Sequence, residues 1–133
     1  MDDIIKTLRA MENFDCLNGA SEDEIEAAEK DLDLKFAKDY RKYLSEYGLA
    51  CAAGHEFTGI VKSPRLNVVD ATVRIYKKIQ DLPAKSYVVE ELNIDSIVIL
   101  QTEDGSIYEA VPGKLSNKIA DSLCDYLKEG YRG

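Results

Sequence analysis

The sequence predicts an α+β domain, with helices flanking a mainly antiparallel sheet of about five strands. Three observations predict it. The stretch before Gly48 carries apolar residues at helical spacing, and a capping box opens one of its segments. After Gly48 the character changes to short β-branched runs separated by turn residues. One pair of these runs is joined by Asp104-Gly105, which makes a hairpin rather than a crossover.

In chain order, Ile4, Ile5, Leu8 and Met11 fall on one side of a short amphipathic helix, and Asn18-Gly19 breaks the pattern. Ser21-Glu22-Asp23-Glu24 forms a capping box, and carboxylates at 22, 23, 24 and 26 crowd a first turn where the helix dipole favours them. Ile25, Ala28 and Leu32 give that helix its stripe. A third helix runs from Phe36 to Tyr47, with Phe36, Tyr40, Tyr43, Leu44 and Tyr47 on one face and Gly48 as its C′ residue. The tyrosines are expected in the core with their hydroxyls at the rim.

Leu49–Ala53 and Glu56–Ile60 are expected strands around a turn at Gly54-His55, and Lys62–Arg65 is a loop. Val69, Val73, Tyr76 and Ile79 mark a fourth helix that ends before Pro83. Tyr87–Val89 is strand-like, and Ile97–Leu100 is continuously apolar, as in the middle of a sheet. The hairpin joins Ile97–Thr102 to Ile107–Val111, and Pro112-Gly113 closes it. Ser116 caps a last helix carrying Ile119, Leu123, Tyr126 and Leu127. No repeat, low-complexity tract or linker interrupts residues 1–133, which form one domain.

The 133 residues, 45% apolar and 32% charged, can bury a core without metal or disulfide staples. Against 17 Lys and Arg stand 25 Asp and Glu, a formal net charge of −8. That balance argues against a broad basic face for nucleic acid and favours basic partners, although it also serves solubility. Cys16, Cys51 and Cys124 lack CxxC or Cys-His zinc spacing and are expected as free, mostly buried thiols. The N-terminal MDDIIKTLRAMENF has no signal-peptide pattern, and no apolar run reaches membrane-span length, so a cytoplasmic location is expected.

The common catalytic motifs are missing: GxSxG, SxxK, GxxxxGK[ST], GxGxxG and HExxH. With one histidine, His55, no histidine-based metal site can be assembled. Neither a cofactor nor an enzymatic role is expected. An enzyme reading would have to rest on His55 and a carboxylate such as Glu56.

The stretch from Ser21 to Ile60 resembles the SUKH superfamily, the group with the SMI/KNR-type cell-wall regulator and many bacterial immunity proteins. Ile25 and Glu29 match its first helix, Tyr40, Leu44 and Gly48 its second, and Glu56, Phe57, Gly59 and Ile60 its following strand. Asp104-Gly105 with Ile107-Tyr108 looks like its later hairpin. Two features depart from the pattern. Phe36-Ala37 stands where Leu-Pro is usual, and Leu92-Asn93-Ile94-Asp95 replaces a glycine-rich approach. The resemblance implies an immunity protein that binds a cognate secreted toxin, a nuclease in many cases, in the cytoplasm. The alternative is a regulatory or scaffolding module of the SMI/KNR type.

For a partner-binding surface the candidates are His55, Glu56, Asp70, Glu90, Glu91, Asp95, Glu103 and Asp104, which follow the helical half and lie outside its apolar periodicity. Glu90, Glu91, Asp95, Glu103 and Asp104 have no structural role legible in the sequence. Tyr76, Tyr87 and Tyr108 are open between anchor and core.

Overall fold

Helix starts are set by short side chains that answer backbone donors. In the computed structural model, which describes residues 3–92 and 96–129, the Asp3 carboxylate accepts from the Ile5 N–H at 2.9 Å and opens α1, Ile4–Arg9. At α2, Glu22–Leu32, the capping box forms as expected, with Glu24 N–H donating to Ser21 Oγ (3.2 Å) and Ser21 N–H to the Glu24 carboxylate (2.9 Å). The next helix, α3, spans Lys38–Tyr47 and begins two residues later than expected. Distant side chains hold the two preceding residues in extended approach. Phe36 N–H donates to Glu29 at 2.8 Å and Ala37 N–H to the Tyr87 hydroxyl at 2.9 Å. Gly48 ends α3 at φ +68°, the left-handed region expected of it.

A small antiparallel sheet follows the order β1-β2-β3, from Asp15–Cys16, Ala50–Ala52 and His55–Glu56. Its hairpin turns at Ala53-Gly54, both with positive φ, rather than at Gly54-His55. The shift of one residue moves His55 into a strand and into the interior. β1 was not foreseen. Two residues carry no periodicity, and nonlocal bonds hold the segment, including Leu17 N–H to Leu49 O and Ala53 N–H to Glu12 O. Beyond β3 the backbones nearly touch: a Cβ on Gly59 would lie 1.9 Å from the Gly48 carbonyl oxygen.

Asn67 caps α4, Val68–Lys78. Its buried face is Val68, Ala71, Thr72 and Ile75, continued by Ile79, whereas Val73 and Tyr76 from the expected stripe are 44% and 45% exposed. Small residues win the sheet-facing side. Ala71 and Thr72 let the helix approach closely, and the Thr72 hydroxyl accepts from Val88 N–H at 3.0 Å.

The larger sheet is β4-β5-β6-β7, antiparallel throughout: Ser86–Glu91, Val98–Thr102, Ile107–Ala110 and Asn117–Ala120. β5 lies inside it, as its continuous apolar run predicts. At the β5–β6 hairpin Asp104 accepts from Thr102 Oγ1 (2.6 Å) and Ser106 N–H (3.0 Å). The expected last helix divides. Residues from Asn117 pair with β6 as β7, and α5, Leu123–Lys128, starts at Ser122. Ile119 and Leu123, four apart, had imitated one helical face.

The main core gathers α1, α2, α3 and α5 against Tyr87, Val89, Ile99 and Ile107, while α4 covers Val88, Val98, Leu100 and Ala110 on the other face. A row of rings crosses the main core: Phe36, Tyr87, Tyr40, Tyr43, Phe57, His55 and Tyr126, with neighbouring centroids 4.8–6.2 Å apart. The tyrosines are core residues, as expected, but the Tyr40 and Tyr43 hydroxyls are interior rather than at the rim. Tyr43 donates to Thr58 O at 2.7 Å and accepts from Ala50 N–H at 2.9 Å. Burial pushes the Tyr40, Tyr43 and Tyr87 hydroxyls well above the usual phenol range. The Tyr47 hydroxyl is buried with no hydrogen-bond partner among the described residues.

That contrast is testable by urea denaturation. Tyr43→Phe orphans two backbone groups and should cost about 1–3 kcal/mol. Tyr47→Phe removes an unsatisfied hydroxyl and should leave stability unchanged or raise it.

Candidate functional site

A strand buried on both faces leaves little room for a carboxylate, yet β4 carries Glu90 at 1% exposure. A β-bulge explains how. Tyr87 pairs with Gln101 and Val88 with Leu100, but Glu90 pairs with Ile99, so Val89 is the extra residue. The bulge turns Glu90 from the α4 side to the main core. There its carboxylate meets His55 Nδ1 at 2.8 Å and accepts from the Tyr126 hydroxyl at 2.5 Å. His55 is 4% exposed and stacks on Phe57 at 5.4 Å. The tautomer with a proton on Nδ1 satisfies the carboxylate. β3, β4 and α5 thus meet at one buried cluster.

Glu29, 2% exposed, makes a second such point. It accepts from Phe36 N–H and, at 3.1 Å, from Arg41 Nε and a terminal guanidinium nitrogen. Burial alone would raise its pKa, but the Arg41 hydrogen bonds, the Phe36 N–H and the charges of Arg41 and Lys35 outweigh it and hold Glu29 below its ordinary value.

The residues expected at a contact surface are therefore scattered. His55 and Glu90 are interior, which removes them from any surface, because the turn shift and the bulge turned them inward. Glu56 pairs with Arg65 at 3.1 Å, and Glu91 with Arg74 at 2.6 Å. Arg74 also reaches the Arg65 carbonyl, joining both pairs in one strip. Glu103 accepts the Lys35 N–H at 2.7 Å, tying the hairpin to the turn before α3. Asp104 is bonded within its turn, and Thr102 and Ser106 hold its pKa below the ordinary range. Asp70 is exposed in the first turn of α4. Asp95 lies outside the described residues. Tyr87 is core, Tyr108 is half-buried, and Tyr76 faces solvent. Contrary to expectation, Cys16 and Cys51 are exposed and only Cys124 is buried.

Two surface hollows are apolar in character. One, about 130 Å³, crosses the small sheet beside Leu17, Leu49 and Phe57. The other, about 490 Å³, lies between the C-terminal end of α2 and α4 and is lined by Leu32, Val73 and Tyr76. Sequence reasoning missed the second. Its signal was legible: α4 carries two apolar stripes, and one helix has one core-facing side. Among the described residues there is no cluster of three potential metal ligands, and no helix is long and apolar enough to cross a membrane.

A family model described as SUKH_5, SMI1-KNR4 cell-wall, matches residues 1–132. The chain belongs to the SUKH family. That family includes immunity proteins and SMI1/KNR4-type members, and no curated protein matches the chain. The residues that carry the SUKH resemblance hold structural positions. Glu29 fixes the approach to α3, Tyr40 and Leu44 fill the core, and Gly48 and Gly59 bring two backbones together. The departure at Phe36-Ala37 is accommodated by Glu29 and Tyr87, which answer both N–H groups.

Three outcomes are expected. Glu90→Ala leaves His55 and Tyr126 without their buried acceptor and should cost about 3–5 kcal/mol in urea denaturation. Glu56→Ala, at an exposed pair, should cost at most about 1 kcal/mol; equal costs would contradict the assignment. Glu29, with a depressed folded pKa, contributes stability above its ordinary pKa and loses it as pH falls through the folded value. Arg41→Met should therefore flatten the acid limb of the stability–pH curve.

Proposed function

We propose that this chain is an immunity protein, which binds a basic toxin domain and blocks it rather than catalysing a reaction of its own. The observation that supports the reading is that a chain of net charge −8 belongs to a family that includes immunity proteins. A toxin that acts on nucleic acid must approach phosphates, so its working face is basic. An acidic protein is drawn to that face and can cover it, and long-range attraction speeds the encounter. The one histidine is committed to the His55–Glu90–Tyr126 cluster in the interior, where its role is to hold three elements together.

Co-expression with the toxin domain encoded beside the gene should restore growth, and the two proteins should purify together. The association rate should fall by roughly tenfold or more from low salt to about 0.5 M salt, with a smaller change in dissociation. Neither rescue nor a complex would defeat the reading. Recovery of an endogenous regulatory protein instead of a toxin would favour the SMI/KNR-type alternative.

A further inference from the structure

Asp31 and Asp33 stand at the C-terminal end of α2, where the helix dipole disfavours carboxylates. Lys85 answers one of them, reaching the Asp33 carbonyl and carboxylate at 2.5 and 3.1 Å. Asp31 has no ion pair among the described residues. Lys30 also stands in that last turn, but among the described residues Asp31 is the carboxylate at this end of α2 that no cation pairs with, at a position the dipole disfavours.

Beside it lies the second apolar stripe of α4. Leu17, Val73, Tyr76 and Leu115 are the exposed large hydrophobic residues described, and two of them share this helix, one turn apart. Tyr76 is held firmly. Its hydroxyl donates to the Ser86 carbonyl at 2.9 Å, accepts from Ser86 N–H at 3.2 Å and lies 3.0 Å from Ser86 Oγ. A pinned hydroxyl with 45% of the residue exposed is a preformed aromatic anchor, whose ordering is complete before any partner arrives.

We propose that this cleft is the docking site for the basic partner, receiving an arginine next to an apolar side chain. The guanidinium stacks on the Tyr76 ring and pairs with Asp31 at the end of α2. The apolar neighbour packs on Val73 and Leu32. Of the two lysines lining the cleft, Lys77 on the α4 wall repels a cation and Lys85 is held on Asp33, which leaves Asp31 to receive it. The identity of the partner rests on the immunity reading; the cleft and its chemistry do not.

The test has two arms. In the first, affinity for the toxin domain encoded beside the gene is measured for the wild type, Val73→Arg, Asp31→Lys and a control, Leu115→Arg, at the most exposed of the hydrophobic residues. Val73→Arg and Asp31→Lys should each weaken binding by roughly tenfold or more, and Leu115→Arg by less than about twofold. Asp31→Lys places a favourable charge at the end of α2, so its melting temperature should rise while binding falls, a combination that damage to the fold cannot give. If the wild type binds and both variants bind as well, the cleft is wrong and the immunity reading stands.

The second arm needs no toxin. The ¹⁵N-labelled chain is titrated with the capped dipeptide acetyl-Leu-Arg-amide and with its citrulline analogue. Saturable amide shifts at Asp31–Asp33 and Val73–Lys77, seen only with the charged peptide, support the cleft. Shifts grouped on the small-sheet groove, scattered over the surface, absent or equal for both peptides overturn it. If the toxin fails to bind the wild type, the immunity reading falls, and this arm decides the cleft by itself.

Discussion

Thr58 ties the backbones of the two sheets together. Thr58 donates its N–H to Val89 O and its hydroxyl to Val88 O, both at 2.8 Å. Because that hydroxyl proton is committed, the Tyr40 hydroxyl 2.7 Å away must be the donor to Thr58 Oγ1. The Thr58 carbonyl accepts from Tyr43. Edge carbonyls of the larger sheet, the ring row and the small sheet are thus fixed through a single residue at 2% exposure. The segment that carries it covers an edge that would otherwise invite pairing with another chain. Val89, the residue accepting from Thr58, is also the bulged one, so the seam and the inward turn of Glu90 are parts of one local geometry.

Polar chemistry that a sequence presents as available is spent here on architecture. Glu90 and His55 join β4 to β3 and, through Tyr126, to α5. Glu29 and Arg41 set the entry to α3, and Gln101 links Tyr87, Asp39 and the Gly105 carbonyl. A buried carboxylate is retained only when its acceptor sites are filled, and these are. What remains for recognition is the outer surface, where charge is abundant but few large apolar side chains are exposed.

The fold was legible at most points where a local rule decides it, although the small-sheet turn falls at Ala53-Gly54 and the last helix is capped by Ser122 rather than Ser116. The Ser21 box, the Gly48 terminus and the Asp104-Gly105 hairpin depend on neighbours within a few residues, and each stands where the sequence put it. The other misreadings share another cause. β1 and β7 exist through pairing with distant strands, the phase of α4 through Thr72 meeting Val88, and the burial of Glu90 through a bulge that moves a side chain to the opposite face. For the contact surface the same limit applied more strongly. An acidic residue looks alike in sequence whether it answers a backbone N–H, as Glu103 does, or has no ion pair among the described residues, as at Asp31. The doubled stripe of α4 was visible, but choosing its core face required the sheet.

The cysteines carry a consequence of their own. Cys16 and Cys51 are open to solvent, whereas Cys124 is 3% exposed, on α5, with its sulfur 3.0 Å from Thr7 Oγ1 of α1. The terminal helices are clasped around that thiol. A thiol reagent meets two fast sites and one slow one, and the slow site reacts only when α5 lifts from α1. The molecule thereby contains its own clock for the opening of its terminal helices, wound by folding and read by the reagent alone.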